Sequence, residues 1–165
     1  LIAGSLDALI VPLPTGLPGC EEVELARDAF VLVAPARSAL GRLPEPIDPD
    51  TLEGHEILLL EDPHCLRRHA LEVCAAARAV PHATLHATSL GTIVQLVRRG
   101  FGATLLPEIA IPVELSGVSE VSLKRFRDPA PGRTLGLVWR KGSPHADGLR
   151  ELASILMRYC PAGAS

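Results

Sequence analysis

Residues 61–74 read Glu61-Asp62-Pro63-His64-Cys65-Leu66-Arg67-Arg68-His69-Ala70-Leu71-Glu72-Val73-Cys74, and they hold two of the four cysteines, nine positions apart. Ahead of them, Glu56 to Glu61 (EILLLE) is a short apolar run that reads as a buried strand. From Leu66 to Arg78 the chain is rich in Ala, Leu and Arg and free of Gly and Pro, the composition of a helix. Asp62-Pro63 is then a strand-to-helix turn, with Asp as a cap and Pro suited to the first helical turn. This places Cys65 in that first turn, where unpaired backbone N–H groups and the positive dipole end favour a thiolate. His64, Arg67 and Arg68 add donors or positive charge beside it. Nine residues of helix put Cys65 and Cys74 on opposite faces, with Cα atoms ~13.5 Å apart. A disulfide needs them within ~7 Å. Two readings stay open at this point. Cys74 is a small buried apolar residue, or it is one half of a bond that requires the helix to unwind.

Working outward, the 165 residues suffice for a sizeable core, with 47% hydrophobic and 21% charged residues, ordinary for a soluble globular protein. A net charge of −3 argues against this chain itself gripping nucleic acid, and one Trp, one Tyr and three Phe make no base-stacking platform. Four scattered cysteines are not a disulfide scaffold, and no CxxC or Cys/His cluster points to zinc. No apolar stretch reaches the ~18 residues of a membrane span. The opening Leu1-Ile2-Ala3-Gly4 reads as a helix tail, so the chain is expected to be a fragment lacking an N-terminal part.

Strands are expected at Leu6–Val11, Glu21–Ala26, Phe30–Ala34, Ala83–Thr88, Gly102–Pro107, Val118–Leu123 and Arg133–Arg140. Helices are expected over 90–99, with Ser89 as N-cap and Gly100 as stop, and over 144–159, with Leu149, Leu152, Ile155 and Leu156 facing the core. Strands alternating with helices imply an α/β class with mostly parallel sheets. Such sheets bind ligands at strand C-terminal ends, here Asp62–Cys65, Thr88-Ser89 and Gly102–Pro107. His55, His69, His82 and His145 are expected on the solvated surface, and Cys20 and Cys160 as bystanders. Arg98-Arg99 and Lys124-Arg125-Arg127 read as solvated faces.

DxHCLRxxAxxxC (Asp62 to Cys74), HATSLGT (His86 to Thr92), GFGATLLP (Gly100 to Pro107) and RTLGLVWRKGSP (Arg133 to Pro144) together carry a resemblance. The last three blocks resemble the effector domain of the LysR-type transcriptional regulators, and the cysteine block resembles its peroxide-sensing members. The resemblance implies two Rossmann-like subdomains of the periplasmic-binding-protein-like type, the first incomplete. Subdomain I would be residues 1–33 and 136–165. Subdomain II, residues 34–135, would carry the redox cysteines. By motif position, Cys65 resembles the peroxidatic cysteine and Cys74 the resolving one. His64 and Arg67 match pocket residues, Arg133 an arginine that organises the reduced site, and Thr88 and Ser89 ligand contacts. Asp7 and Arg140 match positions implicated in contact with RNA polymerase.

The implied protein is a cytoplasmic regulator and not an enzyme, without cofactor, metal or membrane attachment. It would form homodimers or homotetramers, meet hydrogen peroxide, and bind promoter DNA through a helix-turn-helix domain absent from this chain. The sequence departs from the family at Pro63, where Gly is usual, at Arg68, where Asp is usual, and at Thr84, where some members have histidine. Two further readings have distinct signatures. A LysR-type regulator that binds a small organic effector would respond unchanged after cysteine substitution. A thiol peroxidase would turn over with a reductant.

Overall fold

The computed structural model describes residues 1, 4–61 and 65–159, with the side chains of Cys65 and His86 also outside the description. The chain divides into two compact units, unit 1 formed by residues 1–28 and 133–165 and unit 2 by residues 29–132. These crossings lie a few residues before the expected boundaries at 33/34 and 135/136.

In unit 2 the strands are the second part of β2 (Cys20–Pro35), β3 (Glu56–Leu60), β4 (Val80–Ala87), β5 (Ala103–Pro107) and β6 (Val121–Arg125). Their order is β6-β2-β5-β3-β4. β3 runs parallel to both β4 and β5, with Ile57 opposite Ala103 and Leu60 opposite Ala87. β2 is antiparallel to β5 and to β6. Helix α1 (Cys65–Ala76) joins β3 to β4, and α2 (Leu90–Arg98) joins β4 to β5. The short α3 (Ile111–Glu114) follows β5. Phe30 to Ala34, Ile57 to Leu60 and Ala103 to Leu106 are all buried, which is why these strands read as unbroken apolar runs and not as alternating ones.

Unit 1 holds β1 (Ala8–Leu13), the first part of β2, β7 (Gly132–Arg140) and helix α4 (Ala146–Tyr159), with strand order β1-β7-β2. β1 and β7 are antiparallel, from Ala8 opposite Trp139 to Leu13 opposite Thr134. A Cβ on Gly136 would come within 2.3 Å of the Leu13 side chain, so only glycine leaves room for that leucine. The core of the unit is Leu25, Leu137, Trp139 and Ala153, with Val23, Ala146, Leu149 and Leu156 against it.

Three expectations are corrected. The sheets are mixed, because only the β3–β4 and β4–β5 connections carry a full-length helix; strands joined otherwise pair antiparallel. Glu21–Ala26 and Phe30–Ala34 are one continuous strand, for a reason that lies in Asp28 and is given below. Leu152 and Ile155 are exposed, and α4 meets the core through Ala146, Leu149, Ala153 and Leu156.

Candidate functional site

Because β3, β4 and β5 are parallel, Leu60, Ala87 and Pro107 end them on one side of the unit 2 sheet. The chain leaves β3 and β4 there to begin α1 and α2. The Glu61 N–H donates to the Ala87 carbonyl at 3.0 Å, so β3 and β4 stay tied to their ends. Asp62, Pro63 and His64 lie outside the described residues. Cys65 opens α1 through its backbone, and the helix runs without interruption past Cys74 to Ala76.

Nine residues of unbroken helix set the Cα atoms of Cys65 and Cys74 ~13.5 Å apart. In this conformation the two cannot bond. Cys74 is 1% exposed, packed in the core beside Leu66, Ala70, Val73 and Ala77, and free. That burial pushes its thiol from 9.0 to about 11, partly offset by a backbone hydrogen bond. At neutral pH Cys74 is a protonated thiol and a poor nucleophile.

Arg67 turns back toward the strand, and its Nη1 donates to the Leu60 carbonyl at 2.6 Å. Its side chain thus reaches back to the end of β3, with that backbone oxygen among its partners. A cavity of about 10 Å³ remains among Leu60, Leu66, Arg67, Leu90 and Leu105, room for a single water and not for an organic effector. Ser89 is the N-cap of α2: its Oγ accepts from the Thr92 N–H at 3.2 Å and lies 2.9 Å from Thr92 Oγ1. Glu114 also stands by this helix start, its Oε2 3.1 Å from where a Cβ on Gly91 would be. With a cap and a carboxylate already there, the start of α2 is served from within the protein. Thr88 is exposed.

Arg133 belongs to unit 1, where Asp28 holds it. Arg133 Nε donates to Asp28 Oδ2 at 3.0 Å and Nη2 approaches the same oxygen at 2.9 Å. The side chains are 12% and 3% exposed. The partners adjoin the two crossings, Asp28 as unit 1's last residue on the way out and Arg133 as its first on return. Asp28 escaped the sequence reading. A carboxylate in Arg27-Asp28-Ala29 looks like a strand break unless its cation, 105 positions away, is known. Once neutralised it can be buried, and β2 runs straight through it.

Asp7 and Arg140 lie at one end of the β1–β7 ladder, just beyond the Ala8–Trp139 pair. Cys20 opens β2, half-buried and free, while Cys160 lies outside the described residues. His145 is exposed as expected, whereas His55 and His69 are half-buried. His82 is half-buried too: its side chain is 15% exposed, Nδ1 accepts from the Leu85 N–H at 3.2 Å, and Nε2 lies 3.9 Å from Glu56 Oε2. Arg98, Arg125 and Arg127 are paired with Glu120, Glu108 and Asp48. Among the described residues no cluster of three His, Cys, Asp or Glu side chains could hold a metal, and no helix is long and apolar enough to cross a membrane.

Two α/β units linked by two chain crossings are the plan of periplasmic-binding-protein-like sensory domains. The chain belongs to the LysR substrate binding domain family, whose model matches residues 1–161. It is 43% identical over 157 residues to a probable hydrogen peroxide-inducible genes activator of Streptomyces viridosporus, covering 94% of this chain and 50% of that protein. Among solved structures it is similar to the reduced form of OxyR, with a TM-score of 0.83 at 30% identity, over 99% of this chain and 76% of that one. The oxidised form of OxyR matches with a TM-score of 0.79 at 35% identity, over 96% and 74%. The chain spans about half the length of the curated relatives it matches.

Proposed function

We propose that this chain is the redox-sensing regulatory domain of a transcription regulator that responds to hydrogen peroxide through a reversible Cys65–Cys74 thiol–disulfide switch. The observation that carries this reading is the unbroken α1, which opens on Cys65 and buries Cys74 nine residues later. A bond between them is incompatible with the helix, so forming it would have to change the structure, as a signal requires. Relatives named as peroxide-inducible activators, and OxyR structures in both redox forms, support the same reading.

The chemistry runs in two balanced steps. The Cys65 thiolate attacks one peroxide oxygen; an S–O bond forms, the O–O bond breaks and hydroxide leaves, so sulfur is oxidised to sulfenic acid and peroxide reduced. The Cys74 thiolate then attacks that sulfur; an S–S bond forms, the S–O bond breaks, and the departing hydroxide takes up a proton to leave as water. A thiol reductant of the cell returns the pair to two thiols. Cys74 cannot perform the second step while its thiol is held in the core, so release of α1 precedes the bond.

In this reading units 1 and 2 are regulatory subdomains I and II, the second carrying the cysteines. His64, Arg67 and Arg133 serve the reduced site. Thr88 and Ser89 act first as strand end and helix cap, and as ligand contacts only secondarily. The whole protein would be a cytoplasmic homodimer or homotetramer that binds promoter DNA through a helix-turn-helix domain and meets RNA polymerase through Asp7 and Arg140. It senses one oxidation per chain and does not turn over peroxide. Mass spectrometry after one equivalent of peroxide tests this: a Cys65–Cys74 linked peptide should form quickly and be lost in Cys65→Ser. Slow, indiscriminate oxidation of Cys20 and Cys160 without that link would overturn it.

A further inference from the structure

The Arg67–Leu60 hydrogen bond joins the first turn of α1 directly to the last residue of β3. Leu60 is buried, and the register of β3 with β5 stops two residues earlier, at Leu58 opposite Thr104. A buried carbonyl at that point needs a donor from elsewhere. Arg67 supplies a charged one, at 2.6 Å, and charge-assisted bonds are about twice as strong as neutral ones. The rest of the grip of α1 on the core comes from Leu66, Ala70, Val73 and Cys74, with Leu71 packed against them. A strong tether at this end of the helix has leverage over whether that end opens.

We propose that the Arg67–Leu60 bond is a latch that keeps α1 wound in the reduced protein and sets how fast Cys74 reaches an oxidised Cys65. This deepens the thiol-switch reading and rests on it. Arg67 is here a positioning residue: it acts on the second step, in which the S–S bond forms and water leaves, by delaying release of the helix. Removing the tether should speed that step. It should also raise the exchange rate of the α1 amides from His69 to Cys74 in the reduced protein, before any peroxide is added.

Two variants of the whole protein separate the latch from a mere charge. Arg67→Met removes donor and charge; Arg67→Lys keeps the charge but replaces the planar fork with one ammonium. In rapid-quench mass spectrometry, Arg67→Met should convert sulfenic acid to the Cys65–Cys74 disulfide about tenfold faster than the parent. Its α1 amides should exchange faster by a similar factor, and Arg67→Lys should fall between the two. Unchanged condensation and exchange in Arg67→Met would overturn the latch while leaving the thiol switch intact. Equal acceleration across residues 90–98 would also overturn it, by marking general loosening in place of local release. If the parent forms no Cys65–Cys74 bond, the thiol-switch reading falls and this role in it falls too; the exchange readout then shows separately whether the tether holds the helix. Should Arg67→Met fail to fold, Arg67→Lys carries both readouts with a smaller expected change.

Discussion

α1 and α2 follow neighbouring parallel strands and both pack against β3, yet they are held by different means. α2 is fixed at its start by the Ser89 cap and along its length by Ile93, Val94 and Val97, all buried. It stops at Gly100, whose φ of +88° is left-handed backbone that glycine adopts at little cost. α1 sinks Ala70, Val73 and Cys74 into the same core, with Leu66 near its start. Each fully buried branched aliphatic side chain contributes about 1.5–3 kcal/mol, while alanine and cysteine remove much less apolar area from water. With two buried branched side chains, Leu66 and Val73, against three in α2, α1 is the more lightly held of the two helices.

The sharpest way to break this comparison is to truncate matched positions. Ile93→Ala in α2 should cost about 2–4 kcal/mol of global stability, whereas Cys74→Ala in α1 should cost about 1 kcal/mol. Urea denaturation measures both, and equal costs would remove the distinction.

A second effect separates the helices by pH. Cys74 titrates at 9.0 unfolded and at about 11 folded, because burial disfavours the thiolate. Between those values the unfolded chain has released the proton and the folded one still holds it, so stability falls as pH rises. The contribution is fully present below pH 9 and is lost by about pH 11, a change on the order of 2 kcal/mol. α2 carries no side chain that titrates in that window. The loss should therefore vanish in Cys74→Ala; a curve of unchanged shape would show that other groups cause it.

The smallest effect tests independence. Ser89→Ala should cost about 1 kcal/mol and raise amide exchange in α2 without changing exchange in α1. Equal changes in both would make the helices one cooperative unit.

Much of this was legible in the sequence, for identifiable reasons. The strand before Cys65 and the helix after it follow from local composition, and so does the Ser89 cap, because each depends on residues within a turn of one another. The failures involve partners that no local pattern displays. The unbroken β2 needs Arg133 to neutralise a buried Asp28. The core face of α4 was misassigned because Ala146 and Ala153 count for little on a hydropathy pattern, while Leu152 and Ile155, which count for more, point outward. Arg67 reads as a charge beside Cys65 and, by motif position, as a pocket residue; its bond to the Leu60 carbonyl does not show, because a backbone acceptor leaves no mark in the residue types.

The burial of Cys74 has one more consequence, for durability. Peroxide, alkylating reagents and foreign disulfides all react with a thiolate that can reach them. While α1 is wound, Cys74 offers neither the ionised form nor access. A second cysteine left open to the oxidant would in time advance to sulfinic and sulfonic acids, from which no disulfide can be made. Folded away in the core, Cys74 is kept from those reagents for as long as α1 stays wound.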